Sequence, residues 1–146
     1  MKILVINGPN MNMLGIREPD IYGHETLADL ENMIRTYAES LGVETEFYQS
    51  NHEGGIVDRI QEAYGVCDGI VINPAAYTHT SVAIHDAIAA VAIPAVEVHV
   101  SDISSREGYR HHSFTKDVCI AQIAGHGFKG YLEAVELLVK NASLGE

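Results

Sequence analysis

Positive charge is scarce in this chain of 146 residues, which has nine lysines and arginines against 20 aspartates and glutamates and a net charge of −11. Binding to phosphate backbones or anionic lipid surfaces needs clustered lysine and arginine, so the balance argues against nucleic acid and membranes as partners. The chain also has no apolar run of 18 residues, and no charged segment followed by a long apolar one opens it. We therefore expect a cytoplasmic protein.

Cysteine is rarer still, with two residues. Cys67 and Cys119 are far apart in the sequence and lie in apolar segments. This usage is typical of buried thiols in a reducing compartment and argues against a disulfide framework.

Several ligand-binding motifs are missing as well. The first loop, residues 7–10, has neither the glycine pattern of a dinucleotide-binding turn nor that of a P-loop. Asn73 occupies the position after the third apolar run where a phosphoacceptor domain would need a carboxylate. Of the eight histidines, His111 and His112 are adjacent, and no set of cysteines and histidines has the usual metal-site spacing. The sequence predicts no metal site and no nucleotide cofactor.

What the chain does have is a regular alternation of short β-branched runs and longer segments of helical period, with 47% hydrophobic residues. This pattern is typical of βαβ units and predicts a single domain, residues 1–146, with a flavodoxin-like, doubly wound, three-layer α/β fold. We expect five parallel strands in the order 2-1-3-4-5. The predicted strands are Ile3–Ile6, Val43–Tyr48, Gly69–Ile72, Ala95–Val100 and Val118–Ile123.

Four helices separate or follow these strands. Thr26 and Asp29 resemble a capping box at the start of the first helix, and Gly42 ends it. The others are expected over residues 54–65, 81–91 and about 130–140.

Polar side chains follow four of the predicted strands. In a doubly wound sheet the ligand crevice lies outside the carboxyl ends of the strands, so these side chains should surround a small polar ligand. For Asn51 and Ser101, a strand-end cap explains the residue as well as a functional role does. The candidates are Asn10, Arg17, Tyr22, Asn51, His52, Asn73, His99 and Ser101.

Two pairs among the candidates suggest acid–base chemistry. A nearby guanidinium favours the phenolate, so Arg17 could activate Tyr22 as a base, although a solvated arginine beside an anchoring tyrosine is the alternative. Glu97 and His99 lie two residues apart on one strand face, where the carboxylate could orient the imidazole. A buried structural pair is the competing interpretation of these two residues.

With these motifs placed, the sequence closely resembles the type II 3-dehydroquinate dehydratases through nearly its whole length. Any single block of the resemblance would be weak, but the blocks occur together, in order and on matching elements. They are residues 7–19 with Tyr22 and Gly23, residues 49–54, residues 72–81 with Asp86, and residues 97–101 with Arg106, Glu107 and residues 110–113.

The resemblance implies a cofactor-free hydro-lyase that removes water from 3-dehydroquinate with anti stereochemistry, through an enolate, to give 3-dehydroshikimate. By the same resemblance Tyr22 is the base with Arg17 as its activating cation. Asn73 would hold an ordered water at the enolate oxygen. His99 would protonate the departing hydroxyl, with Glu97 orienting its ring and Asn10 helping to hold it.

The resemblance also implies binding roles for His79, Arg110, and Val100 with Ser101, which in the family hold the hydroxyls and carboxylate of the substrate. Arg110 can bind a carboxylate through two parallel hydrogen bonds. Asp86 matches a residue that the family presents toward a neighbouring subunit's site. This implies a homo-oligomer, a trimer assembled into a dodecamer.

The sequence departs from the family pattern at Asp102, where the family commonly has asparagine, and at Gly108-Tyr109, where it has a bulkier pair. These departures motivate one alternative, a catalytically silent protein of the same fold that binds small anions or serves in assembly. Another alternative is an acyl or phosphoryl transferase with Ser101 as nucleophile and His99 as its base.

Overall fold

The apolar runs form a five-stranded parallel sheet in the computed structural model, which describes residues 1–16, 20 and 23–145. The spatial order is β2-β1-β3-β4-β5, and β1 and β3 pair in register so that Asn7 lies opposite Asn73 at their carboxyl ends. This confirms the predicted α/β class, the parallel sheet and the strand order. The strands are β1 Lys2–Asn7, β2 Glu44–Gln49, β3 Gly69–Asn73, β4 Ala95–His99 and β5 Ala121–Ala124.

Four α-helices of the described residues cover the two faces of this sheet. Their apolar sides form two separate cores, one beneath α1 and α4 and the other beneath α2 and α3. Because successive residues of a strand point to opposite faces, Val71 and Val96 enter the first core while Ile70 and Ala95 enter the second. The helices are α1 Leu27–Ser40, α2 Glu53–Glu62, α3 Val82–Val91 and α4 Lys129–Leu144.

Side-chain caps fix the starts of two helices where the sequence predicted them. Thr26 accepts the backbone N–H of Asp29, and Asp29 accepts that of Thr26, so the capping box before α1 is confirmed. Ser81 is the N-cap of α3 and accepts the N–H of Ile84 at 2.9 Å. These bonds satisfy backbone donors that have no partner within the helix.

The predicted start of the last strand was wrong. Residues Lys116–Val118 form a 3₁₀ turn, and the strand runs over Ala121–Ala124 instead of Val118–Ile123. The N–H of Val118 donates to Thr115 O and that of Cys119 to Lys116 O, so local turn bonds use the donors that a sheet ladder would need. Val118 packs against the second core, which accounts for a β-branched residue at this position outside the strand.

No helix of the described ranges has the length and apolar character needed to cross a membrane.

Candidate functional site

A pocket opens at the carboxyl edge of the sheet, between the loops that follow β1, β3 and β4. The rule for ligand crevices of parallel α/β sheets predicts a site in this position. The structure brings seven of the residues singled out from the sequence to the wall of this one pocket. They are Asn10, Asn73, His79, His99, Val100, Ser101 and Arg110.

The remaining predicted residues are either outside the lining of this pocket or outside the described part of the chain. Arg17 and Tyr22 fall outside the described residues. Glu97 lies behind His99 and is fully buried. Asp86 lies on the exposed surface of α3, where its carboxylate is 2.8 Å from Nδ1 of His85.

His99 and Glu97 form a hydrogen-bonded pair at the edge of the pocket. His99 Nε2 lies 2.6 Å from Glu97 Oε2, and both side chains are almost completely removed from solvent. Because a carboxylate can only accept, Nε2 carries the proton, which leaves the Nδ1 side of the ring for other partners. This arrangement fixes the orientation of an imidazole that lines the pocket.

A cage of donors surrounds Glu97. The hydroxyls of Thr78 and Ser113 donate to it at 3.0 Å, Thr115 donates through a short contact, and Gln122 Nε2 donates at 2.7 Å. Burial by itself would raise the pKa of this carboxyl, but the hydrogen bond and charge of His99 and the bonds from Thr115 and Gln122 lower it to about 2. Glu97 is therefore a carboxylate at neutral pH, in spite of its burial.

His79 is held as a neutral ring at the pocket wall. Its Nδ1–H donates to the carbonyl oxygen of His112 at 2.7 Å, and burial lowers its pKa. With the proton on Nδ1, the Nε2 atom is an acceptor. A neutral histidine in this form can accept a hydrogen bond from a ligand hydroxyl.

Hydrogen bonds to Tyr131 and Ala75 hold the side chain of Asn73 at the end of β3. Its Nδ2 donates to the hydroxyl of Tyr131 at 2.9 Å, and its Oδ1 accepts the N–H of Ala75 at 2.9 Å. A second contact of Nδ2 is to Met11 Sδ at 3.6 Å, and sulfur is a weak acceptor. One N–H of this amide therefore has only a weak acceptor among the described residues.

The Asn10 loop is anchored by amide side chains. Asn10 has a left-handed backbone with φ of 70°, and its N–H donates to Asn51 Oδ1 at 3.0 Å. Gln49 Nε2 donates to the same oxygen at 3.2 Å and to Gly8 O at 3.1 Å. For Asn51, the cap interpretation accounts for the observed contacts.

Two arginines give the pocket positive charge in a chain that is acidic overall. Arg106 and Arg110 both line it. Arg106 donates from Nη1 to Ser101 Oγ at 3.2 Å. The carboxylate of Glu107 pairs with both arginines, 2.7 Å from Arg110 Nε and 3.7 Å from Arg106 Nε. The pocket wall therefore offers guanidinium groups to an anionic ligand.

Asp102 turns its carboxylate to its own loop. Oδ1 accepts the backbone N–H of Ser104 at 3.0 Å and its hydroxyl at 2.6 Å. These hydrogen bonds lower the pKa of Asp102. An asparagine could make the same two contacts through its own Oδ1, so the departure from the family pattern leaves this turn intact.

Sequence reasoning left some functional neighbours unassigned. Arg106 was named only as part of a block of the resemblance, although its position four residues before Arg110 could have suggested a second cation. The donors to Glu97 lie on three separate segments, and no local pattern marks Thr78, Thr115 or Gln122.

No group of three or more histidine, cysteine, aspartate or glutamate side chains within the described part of the chain could hold a metal ion.

Comparisons with known proteins find close similarity over nearly the whole chain. Residues 1–139 match the family model of dehydroquinase class II. A catabolic 3-dehydroquinase 1 of Aspergillus terreus is 59% identical over 139 residues, which cover 95% of this chain and 91% of that protein. A 3-dehydroquinate dehydratase of Acaryochloris marina is 58% identical over 137 residues, covering 94% and 92%. The crystal structure of type II dehydroquinase from Butyrivibrio crossotus superposes with a TM-score of 0.94 at 58% identity, covering 95% of this chain and 97% of that one.

Proposed function

Because the chain belongs to the class II dehydroquinase family, we propose that it is a 3-dehydroquinate dehydratase, a hydro-lyase that forms 3-dehydroshikimate. The observation that carries the proposal is the Glu97–His99 pair at the edge of a pocket that also holds two arginines. Elimination of a hydroxyl needs a positioned acid, and an anionic substrate needs cations. Relatives named for this reaction include both catabolic and unqualified dehydroquinases, and one chemistry serves quinate breakdown and aromatic biosynthesis.

In this proposal the reaction begins at the loop after β1. Tyr22 removes the proton alpha to the ketone, and the charge of Arg17 favours the phenolate that must do so. The electron pair passes to the carbonyl oxygen and forms an enolate. Asn73 supports this charge through an ordered water, for which the N–H now facing Met11 Sδ is available.

The second half of the reaction is protonation of the departing hydroxyl by His99. With Nε2–H committed to Glu97, the proton comes from the Nδ1 side of an imidazolium. Glu97, ionised and buried, stabilises that cation and orients it, and Asn10 helps to hold the ring. Anti stereochemistry requires the base and the acid on opposite faces of the substrate.

Substrate binding uses the rest of the pocket wall. Arg110 binds the carboxylate, Val100 and Ser101 contribute contacts from the loop after β4, and His79 accepts a hydrogen bond from a ring hydroxyl. The observed partner of the Ser101 hydroxyl is Arg106, which orients this hydroxyl toward a cation of the pocket wall. This arrangement favours a binding role for Ser101 over the nucleophilic alternative.

We also propose a homo-oligomer, a trimer assembled into a dodecamer, in which Asp86 faces a neighbouring subunit's site. The proposal is supported by the exposed position of Asp86 on α3, where its carboxylate contacts only the adjacent His85 among the described residues. A cytoplasmic location is supported by the free thiols of Cys67 and Cys119. Sedimentation of the purified protein would test the assembly.

The direct test is to mix the purified protein with 3-dehydroquinate, in chelator, and follow the ultraviolet absorbance of the conjugated enone product. We expect prompt growth in the wild type and almost none in Tyr22→Phe, which should still bind substrate. Binding without product formation by the wild type would overturn the proposal and favour the silent anion-binding protein. Full activity of Tyr22→Phe would overturn the assignment of the base.

A further inference from the structure

Tyr131, on α4, has a buried hydroxyl that no step of the proposed reaction uses. Its side chain is fully buried, and its hydroxyl donates to Asn7 Oδ1 at 2.6 Å while accepting from Asn73 Nδ2 at 2.9 Å. A phenylalanine ring would fill the same space without burying a polar group. Burial of this hydroxyl is tolerated because both hydrogen bonds are made, and these bonds connect α4 to the ends of two strands.

These two bonds set the orientation of the Asn73 amide. Because the hydroxyl proton goes to Asn7, the phenol oxygen can only accept from Asn73, so Nδ2 must face Tyr131 and Oδ1 must face the opposite way. Asn7 and Asn73 lie side by side in the β1–β3 register, which lets one hydroxyl contact both. Helix α4 thereby determines which atom of Asn73 reaches the following loop.

Oδ1 of Asn73 accepts a hydrogen bond from the backbone of Ala75 in the loop that follows β3. Ala75 has φ of 54°, a left-handed conformation that is unfavourable for a residue with a Cβ, and its N–H donates to Asn73 Oδ1 at 2.9 Å. Ala75 and Ala76 form part of the pocket wall beside His79. If the amide turned over, its NH₂ would face the N–H of Ala75 and this bond would be lost.

We propose that Tyr131 is a positioning residue for the reaction, acting through Asn73 to hold the pocket wall at Ala75. The inference rests on the proposed function, and it deepens it by extending the site into the core of the α1–α4 face. The Asn73 amide is then a connection between a helix on one face of the sheet and the backbone that faces the substrate.

The test compares Tyr131→Phe with Tyr37→Phe, a matched control. Tyr37 also has a part-buried hydroxyl, 3.4 Å from Glu136, but it lies on α1 away from the pocket. We expect the kcat of Tyr131→Phe to fall about tenfold or more with KM changed less than threefold, because a displaced wall costs turnover. Tyr37→Phe should keep the wild-type kcat within twofold.

A second measurement needs no substrate. Amide hydrogen exchange at Ala75, followed by NMR in the free protein, should become at least tenfold faster in Tyr131→Phe and remain unchanged in Tyr37→Phe. Unchanged exchange, or a lower melting temperature with wild-type kcat, would overturn the inference. Inactivity of the wild type would instead overturn the proposed function, and the exchange measurement would still decide the role of Tyr131.

Asn7→Leu provides a second variant should Tyr131→Phe fail to fold. Among the described residues Asn7 Nδ2 has no hydrogen-bond partner, so leucine removes an unpaired donor while also taking away the acceptor of the Tyr131 hydroxyl. Faster exchange at Ala75 is expected here too, with a smaller fall in kcat. Exchange at the wild-type rate in this variant would contradict the proposed connection.

Discussion

Glu97 Oε2 accepts the Nε2–H of His99 at 2.6 Å, at a point where both side chains are almost completely removed from solvent. An ion pair in such a place is expensive unless further hydrogen bonds compensate the lost hydration. Four additional side chains donate to this carboxylate and keep it ionised. The carboxylate of Glu97 is thus held in one position beside the ring of His99 by hydrogen bonds from several segments of the chain.

Removing the negative charge of Glu97 should therefore impair His99 as the acid of the proposed reaction. In Glu97→Gln we expect kcat to fall by about 10²-fold or more, since a positioned general acid contributes about 10²–10⁴. Glutamine keeps the size of the side chain but cannot stabilise a protonated His99 by charge. Steady-state kinetics of the enone-forming reaction would measure the loss.

Glu133→Gln is the control for this substitution. Glu133 forms a similar contact, 2.7 Å from Nδ1 of His126, but both side chains are about half exposed and lie away from the pocket. The kcat of this variant should remain within twofold of the wild type. Equal activity of Glu97→Gln and Glu133→Gln would remove Glu97 from the mechanism.

The same carboxylate should make folding stability depend on acid pH. The pKa of Glu97 is about 2 in the folded protein, against an ordinary value of 4.5 expected in the unfolded chain. A lowered folded-state pKa stabilises the protein above pH 4.5, and this contribution is lost as the pH falls toward 2. This difference between the two pKa values corresponds to a contribution of the order of 3 kcal/mol to the free energy of unfolding.

Urea unfolding at pH 6 and pH 3 would measure this contribution. The wild type and Glu133→Gln should both lose stability over this interval, whereas Glu97→Gln should lose clearly less. A pH dependence in Glu97→Gln as steep as in the wild type would show that other groups are responsible.

The sequence predicted the architecture well because its local signals agree with one another. The period-two and period-3.6 patterns favour the same alternation of strands and helices, and so does the Thr26 cap. The last strand was misplaced because β-branched composition does not reveal where turn bonds replace the sheet ladder. In residues 116–119 the hydrogen bonds, and not the composition, decide the outcome.

The site was only partly predictable for a different reason. Residues at the carboxyl ends of strands are marked by topology, and this rule found Asn73 and His99. The donors that fix these residues come from distant segments. Tyr131 reads in the sequence as one more apolar position of α4, and Gln122 as part of a strand, so only the packed structure shows what their polar atoms bind.

Restoring the common family residue at position 102 should change little. The carboxylate of Asp102 accepts two bonds from Ser104, and asparagine can accept both. We therefore expect Asp102→Asn to keep kcat and KM within about twofold of the wild type. Asp102→Ala, which cannot close this turn, should raise KM by loosening the loop that carries Arg106. A large gain in activity in Asp102→Asn would show instead that the aspartate suppresses turnover, as the silent-protein alternative requires.

Contact between the loops after β1 and β3 leads to the last prediction. Gly8 donates its N–H to Asn73 O at 2.8 Å, and a Cβ at position 8 would lie 2.4 Å from the carbonyl oxygen of Pro74. Backbone cannot move aside as a flexible side chain can, so Gly8→Ala must push the two loops apart. We expect a destabilisation of about 1–3 kcal/mol, typical of overpacking, together with a fall in kcat because both loops line the pocket.

Gly54→Ala is the matched control for this change. Gly54 lies in the first turn of α2, where a Cβ would meet no heavy atom within 4 Å. Alanine there should leave kcat unchanged and raise the free energy of unfolding by up to about 1 kcal/mol, because glycine loses more backbone entropy on folding. Urea unfolding and steady-state kinetics on both variants would separate the effects. Wild-type stability and kcat in Gly8→Ala would show that the two loops are free to separate, in which case their contact does not shape the pocket.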